Sequence, residues 1–224
     1  MSIHNNESHW IPLSDMMTGL MLIFLLIAIL FMQQYQKDIV AYQDARQELY
    51  LELDSQFKDK YEKWEMVLGE DLSIKFTNPE VLFAYRSSEI SARFSAILNE
   101  FIPQYLEIIT DEKYRGVISE VRIEGHTADW DEYMYTIELS QDRANNVLRF
   151  ILNNEYYKTV SEETKRLIKF WMTSNGLGNG RAIDSNGNFV HDSGGETSAD
   201  SRRVEFRIIT RSEDLVEKII NNKK

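Results

Sequence analysis

The chain has 224 residues, 36 Asp plus Glu against 25 Lys plus Arg for a formal charge of -11, 43% hydrophobic residues and no Cys. That length accommodates one ordinary domain plus an appendage. The acidic balance excludes a sequence-independent grip on nucleic-acid phosphates, which needs a cationic field, and the lack of Cys removes disulfides, thiolate metal sites and Cys nucleophiles together. All 25 Lys and Arg lie at or beyond Lys37, and the only formal charges before it are Glu7 and Asp15.

After a short tail (1–10), the 21 residues from Met16 to Gln36 carry no charge, and Leu20 to Met32 has no polar side chain. About 20 helical residues cross a hydrocarbon core about 30 Å thick, so a transmembrane helix is expected over 11–34. A cleaved signal peptide needs a basic leader, a shorter apolar run and small residues at the cut. Met32-Gln33-Gln34-Tyr35 offers none of these, and an uncleaved single-pass anchor is expected. Lys37 and Arg46 favour a cytoplasmic C-terminal side, but Asp38, Asp44 and Glu48 dilute that bias, and long domains are exported largely regardless of flanking charge. Asp15 stands at the helix entrance and has two readings. It either caps free N–H groups at the positive end of the helix dipole or is a functional intramembrane carboxylate.

Residues 35–69 form a helical linker or stalk by pattern. Between Gln33 and Leu68 there is neither Gly nor Pro, and Tyr35, Ile39, Tyr42, Leu49, Leu53, Phe57, Tyr61, Trp64 and Leu68 recur at steps of three, four or seven. The stripe fits a parallel two-helix stalk or an amphipathic helix folded back on its own domain, with Gly69 as the stop in either case.

Leu72–Phe76 alternates as a strand, 90–109 has helical spacing interrupted by Pro103, and Val117–Glu124 alternates again. Leu139–Leu152 and Lys165–Met172 are predicted helices, and Arg203–Ile209 a closing strand. This order predicts an α/β sandwich with helices on one face of a small mixed sheet. Asp184-Ser185-Asn186-Gly187-Asn188 reads as an Asn-Gly hairpin turn rather than a calcium loop, because Phe189 occupies the sixth position, where that loop needs Gly. His4, His9, His126 and His191 lack zinc-motif spacing, Gly176, Gly178 and Gly180 do not make a phosphate loop, and no enzyme is expected.

Trp10, Asp15, Met17, Thr18, Gly19 and Met21 resemble the transmembrane helix of stator B subunits (MotB-like). The resemblance implies that Asp15 carries the ion, neutral when protonated or cation-bound and ionised when open to a channel. Gly125-His126-Thr127, Tyr135, Leu139-Ser140 and Arg143-Ala144, with Val81-Leu82-Phe83, Ser88-Glu89-Ile90 and Arg202-Arg203-Val204-Glu205, resemble the OmpA-like peptidoglycan-binding domain over 70–211. That likeness implies a wall-binding set of Thr127, Asp129, Tyr135, Thr136, Leu139, Arg143 and Arg202, in which Arg143 takes a peptide-stem carboxylate. His126 reads as a structural strand-end residue. Three positions depart from the motif: Ala128 replaces the ammonium-binding Asp, with Asp129 next along as a substitute, Asp131 replaces Gly, and Thr136 replaces Asn.

The expected fold class is therefore α/β: a single N-terminal transmembrane helix and helical stalk, an OmpA-like sandwich, and a C-terminal helical tail over 212–224. The resemblance implies an inner-membrane protein with a cytoplasmic N-terminus and a periplasmic domain. It also implies a homodimer inside a ring of multi-pass A subunits, translocating H+ or Na+ with no bound cofactor. The tail without Lys or Arg and the altered wall motif are similar to the B subunit of Zorya anti-phage defence systems. A flagellar or transport-energising stator is the alternative, and a passive membrane-to-wall tether is the alternative of another class.

Overall fold

The computed structural model describes residues 10–128 and 132–211. The tail before Trp10, Asp129 to Asp131, and the segment expected as a C-terminal helix lie outside the described residues. The chain divides into two compact units between Asp44 and Ala45.

In the first unit the chain is helical from Trp10 onward, part of helix α1 (Trp10–Phe57). Leu, Ile, Met and Phe dominate this stretch, and a helix satisfies every backbone group internally, as a hydrocarbon medium demands. Thr18 Oγ1 donates to the Ser14 carbonyl at 2.9 Å, which keeps its hydroxyl paired on the same helix. Large apolar side chains from Met16 to Met32 are exposed all round, including Leu25 at 53% and Phe31 at 73%. A helix apolar on every side suits lipid or other subunits rather than a surface position on a soluble domain.

The second unit opens with the last turns of α1, where Leu49, Leu53 and Phe57 recur every fourth residue and are fully buried. The helical pattern that pointed to a stop at Gly69 ends earlier. A 3-10 turn follows at Lys58–Lys60, then α2 (Tyr61–Trp64), and Glu65 reverses the chain in a left-handed conformation. Residues beyond it form strand β1 (Met66–Leu68), paired antiparallel with β2 (Ser73–Phe76). Tertiary packing overrides the local periodicity here. Trp64 is 1% exposed and its ring meets those of Phe57 and Phe101, so the chain turns to bury it. The stripe from Leu49 to Trp64 is thus spent on this chain's own core rather than on a helical partner.

A short helix α3 (Pro79–Leu82) precedes α4 (Ala92–Ile109), which Ser91 caps by accepting from the Phe94 N–H at 3.0 Å. Pro103 does not interrupt α4, contrary to the sequence expectation. A proline costs a helix about 3 kcal/mol, and burial of Phe101, Ile102, Tyr105 and Leu106 around it holds the helix together. Strand β3 (Ile118–Gly125) then leads through α5 (Tyr133–Asn153), α6 (Glu155–Thr159) and α7 (Glu162–Trp171) to β4 (Met172–Gly176), parallel to β3. A long excursion containing α8 (Val190–Ser193) returns to β5 (Val204–Thr210). In it, Ile183 bridges Phe189 and Gly187 takes φ +82°, so the Asn-Gly turn forms as expected.

The five-stranded sheet has the order β1-β2-β5-β3-β4, mixed because only β3 and β4 run parallel. Ile74, Phe76, Val121, Ile123, Val204, Phe206 and Ile208 face the core with the inner stripes of α4, α5 and α7. By strand alternation Lys75, Arg122, Glu124, Glu205 and Arg207 occupy the opposite face. This is the α/β sandwich that the element order implies.

Candidate functional site

In the first unit the functional candidate is Asp15, exposed on α1. It forms no hydrogen bond or ion pair among the described residues. Among the described residues, nothing lies within 4 Å of where a Cβ on Gly19, one turn further on, would stand. The helix therefore presents a carboxylate beside a bare backbone patch, a shape that admits close approach by a neighbouring helix.

In the second unit the motif residues converge where β3 meets α5. A Cβ on Gly125 would collide with the Ser140 carbonyl, and one on Gly176 with the Gln141 backbone, so the two strand ends lie directly against the helix backbone. Ser140 Oγ accepts from the Gly178 N–H at 2.9 Å, and the Thr127 N–H donates to the Gly178 carbonyl at 2.9 Å. Thr136 Oγ1 donates to the Tyr133 carbonyl at 2.7 Å and lies 3.4 Å from Asn179 Oδ1. Thr127 and Thr136 thus flank one turn, both about fully buried at 0% and 1% exposure.

Arg143 is also buried. Its Nε donates to the Ser87 carbonyl at 2.9 Å, and its guanidinium lies 5.0 Å from the centre of the Phe83 ring. It therefore ties α5 to the segment after α3, a set of contacts its place in the motif did not reveal. Tyr135 is exposed, and Arg86 stands 5.7 Å from both the Tyr135 and Tyr85 rings. Leu139 is buried on α5, and Arg202 is half-buried, just ahead of β5. Asp129 falls outside the described residues. Beside Ala128 lies a small hollow lined with Asn179, Ala182, Val190, His191 and Thr197. Its walls mix methyl groups with an amide, a hydroxyl and an imidazole.

Sequence reasoning missed Tyr85, Arg86 and Asn179, which only the fold brings to this corner. It also missed a buried charged group under the excursion between β4 and β5. Glu124 and Glu205 face each other across the β3–β5 ladder, and His126 lies between their carboxylates. Arg203 Nε donates to Glu205 Oε1. Burial holds the His126 imidazole below its ordinary pKa, and the Arg203 charge acts in the same direction against the pull of Glu205 and Glu124. Burial raises the Glu124 carboxyl, but His126, Arg207 and Arg181 outweigh it and hold it below the usual range.

No family model matches the chain. Among solved structures it is similar to a MotB-like protein from Desulfovibrio vulgaris, 21% identical, covering 76% of this chain and 94% of that one with a TM-score of 0.47. It is also similar to the periplasmic domain of Helicobacter pylori MotB, 19% identical, covering 67% and 85%, with a TM-score of 0.40. A curated relative is the Zorya protein ZorB of Escherichia coli (Crooks strain), 32% identical over 231 aligned residues that span 96% of this chain and 93% of the relative. That identity, sustained over nearly the whole of both sequences, makes the chain a member of the ZorB family.

Proposed function

We propose that the chain is the B subunit of an ion-driven, stator-type membrane complex anchored to peptidoglycan, serving Zorya-type anti-phage defence. The observation that carries this reading is Asp15: one carboxylate at the start of the uncharged segment of α1, without a partner among the described residues, in a ZorB family member. An ionised carboxylate in hydrocarbon is costly, so it needs either a proton or cation, or polar groups from another subunit. A homodimer surrounded by a multi-pass A-type subunit supplies those groups. H+ or Na+ crossing 100 mV releases about 2.3 kcal/mol per charge, enough to drive motion against a B subunit held by the wall.

In this arrangement the helix over 11–34 crosses the inner membrane with its N-terminus cytoplasmic, and the domain over 70–211 sits in the periplasm. Thr127, Asp129, Tyr135, Thr136, Leu139, Arg143 and Arg202 are the wall-binding residues in this reading, and the subunit couples and anchors rather than catalyses. Asp15→Asn is expected to preserve expression, membrane insertion and complex assembly while abolishing phage protection in cells carrying the whole system. Retained protection would return Asp15 to a helix cap and favour the passive tether. Replacing the exposed Tyr135 with Ala is expected to lower co-sedimentation of the full-length protein with purified sacculi several-fold. Undiminished sedimentation moves wall contact away from this corner.

A further inference from the structure

We propose that Glu124, His126 and Glu205 form a binding site for a divalent transition-metal ion of the zinc class. Glu124 and Glu205 are directly opposed in the antiparallel β3–β5 register, and His126 follows two residues after Glu124, so all three side chains gather on the face of the sheet away from the helices. The site is enclosed: the three residues are 4%, 5% and 2% exposed.

His126 Nε2 lies 3.7 Å from Glu124 Oε2 and 3.6 Å from Glu205 Oε1. These gaps exceed hydrogen-bond reach. Neither ring nitrogen has a hydrogen-bond partner, although the ring is almost wholly removed from solvent. Such orphaned buried groups are rare and call for something between them. One ligand atom from each of the three residues can be chosen so that all lie within 4.8 Å of one another. A tetrahedral ion with bonds of about 2.0–2.2 Å holds its ligand atoms about 3.3–3.6 Å apart. The cluster therefore needs only small side-chain movements to close on such an ion.

The surroundings favour zinc-like ions over hard ones. Arg203 Nε donates to Glu205 Oε1, the kind of outer hydrogen bond that orients a ligating carboxylate. Arg203 acts electrostatically on His126, and Arg207 and Arg181 on Glu124. These cations offset the carboxylates and disfavour Ca2+ or Mg2+, which bind through charge and six or more oxygens. An ion held by imidazole nitrogen and two carboxylates gains from stronger nitrogen coordination. Once bound, it would join the end of β3 to the start of β5. Arg203, which donates weakly to the Arg181 carbonyl at 3.4 Å, would extend that link to the excursion lining the hollow beside Ala128.

The test uses full-length protein in detergent, stripped with chelator and titrated with Zn2+. Equilibrium dialysis measures binding, and fluorescence of the buried Trp64 and Trp171 follows melting. Saturable uptake of a single equivalent is expected, with Tm raised by about 5–10 °C at a hundredfold excess over Kd and no shift with Mg2+ or Ca2+. Glu124→Gln and His126→Gln are expected to weaken binding at least tenfold, whereas His191→Gln leaves it unchanged. Should those variants fail to fold, Co2+ added to the parent protein decides: a tetrahedral visible absorption band supports the site, and an octahedral spectrum overturns it. Absence of saturable Zn2+ binding, or binding that survives Glu124→Gln and His126→Gln, also overturns it and assigns any uptake to adventitious surface groups.

Discussion

Leu25 and Leu98 are the same residue on two helices, one 53% exposed and the other fully buried. Leu25 belongs to a segment apolar on every side, with its neighbours exposed as it is. Leu98 belongs to a stripe on α4, with Phe94, Phe101 and Tyr105 turned to the sheet. The contrast shows that hydrophobic content alone does not make a core. The α/β unit completes its burial within one chain, whereas the apolar part of α1 needs lipid or other subunits to cover it. Mutations should separate the two regions cleanly.

The largest effect is expected at Phe101, whose ring meets Phe57, Phe76, Phe206 and Trp64 at centroid distances of 5.2, 5.3, 5.2 and 6.2 Å and stacks on Tyr105 at 5.0 Å. Phe101→Ala should cost the α/β unit about 3–5 kcal/mol, through lost burial plus the cavity left behind, as read by denaturant unfolding of the detergent-solubilised protein. Leu25→Ala should leave that transition where it is. Destabilisation of the α/β unit by Leu25→Ala would break the comparison, because it would mean that the membrane segment supports the core.

The same contrast explains what was legible in the sequence. β2, β3 and β5, and the helices α4, α5 and α7, follow from alternation and helical spacing, because one face of each carries the apolar side chains of the core and the other carries mainly polar ones. β4 was missed because Met-Thr-Ser-Asn-Gly has one buried apolar residue and otherwise half-buried polar ones. It is a strand because it pairs with β3, not because of its own pattern. β1 was hidden inside a helical stripe that Trp64 breaks by packing into the aromatic cluster. Asp15 was visible because it is isolated in an apolar block. The opposition of Glu124 and Glu205 was not, since it depends on the β3–β5 register, which pairs residues 81 positions apart in the sequence. The motif around Arg143 is legible through its family resemblance, but the capture of Arg143 by Ser87 and Phe83 follows only from the fold.

Two glycines give a smaller effect with opposite expectations in the two regions. Gly125→Ala places a methyl group against the Ser140 carbonyl, where helix backbone must move, and should cost about 1–3 kcal/mol. Gly19→Leu builds from a Cβ position with nothing within 4 Å among the described residues. It should leave α/β unfolding unaltered while lowering the yield of complex co-purified with a multi-pass partner, because small residues permit helix backbones to approach in membranes. If Gly19→Leu leaves complex yield intact, the bare patch beside Asp15 is not a contact surface.

The smallest effect is expected at Asp71, in the β1–β2 turn. Its carboxylate accepts from Ser73 Oγ at 2.6 Å and from the Ser73 N–H at 3.3 Å. Burial raises its pKa, but the Ser73 bonds with the charges of Lys75 and Arg207 outweigh this and leave it lowered. A carboxyl that binds its proton less readily when folded contributes stability above its unfolded pKa, about 3.9. That contribution fades as pH falls through the lower folded value. Asp71→Asn should therefore cost about 1 kcal/mol at pH 7, the scale of one partly exposed hydrogen-bonded charge, and less at pH 3. Urea unfolding of parent and variant at the two pH values measures the gap. An equal gap at both would assign the loss to side-chain shape rather than to charge. A carboxylate already satisfied by its own turn thus shows its role as a change in stability, whereas Asp15, without a partner among the described residues, is expected to show its role only in the assembled complex.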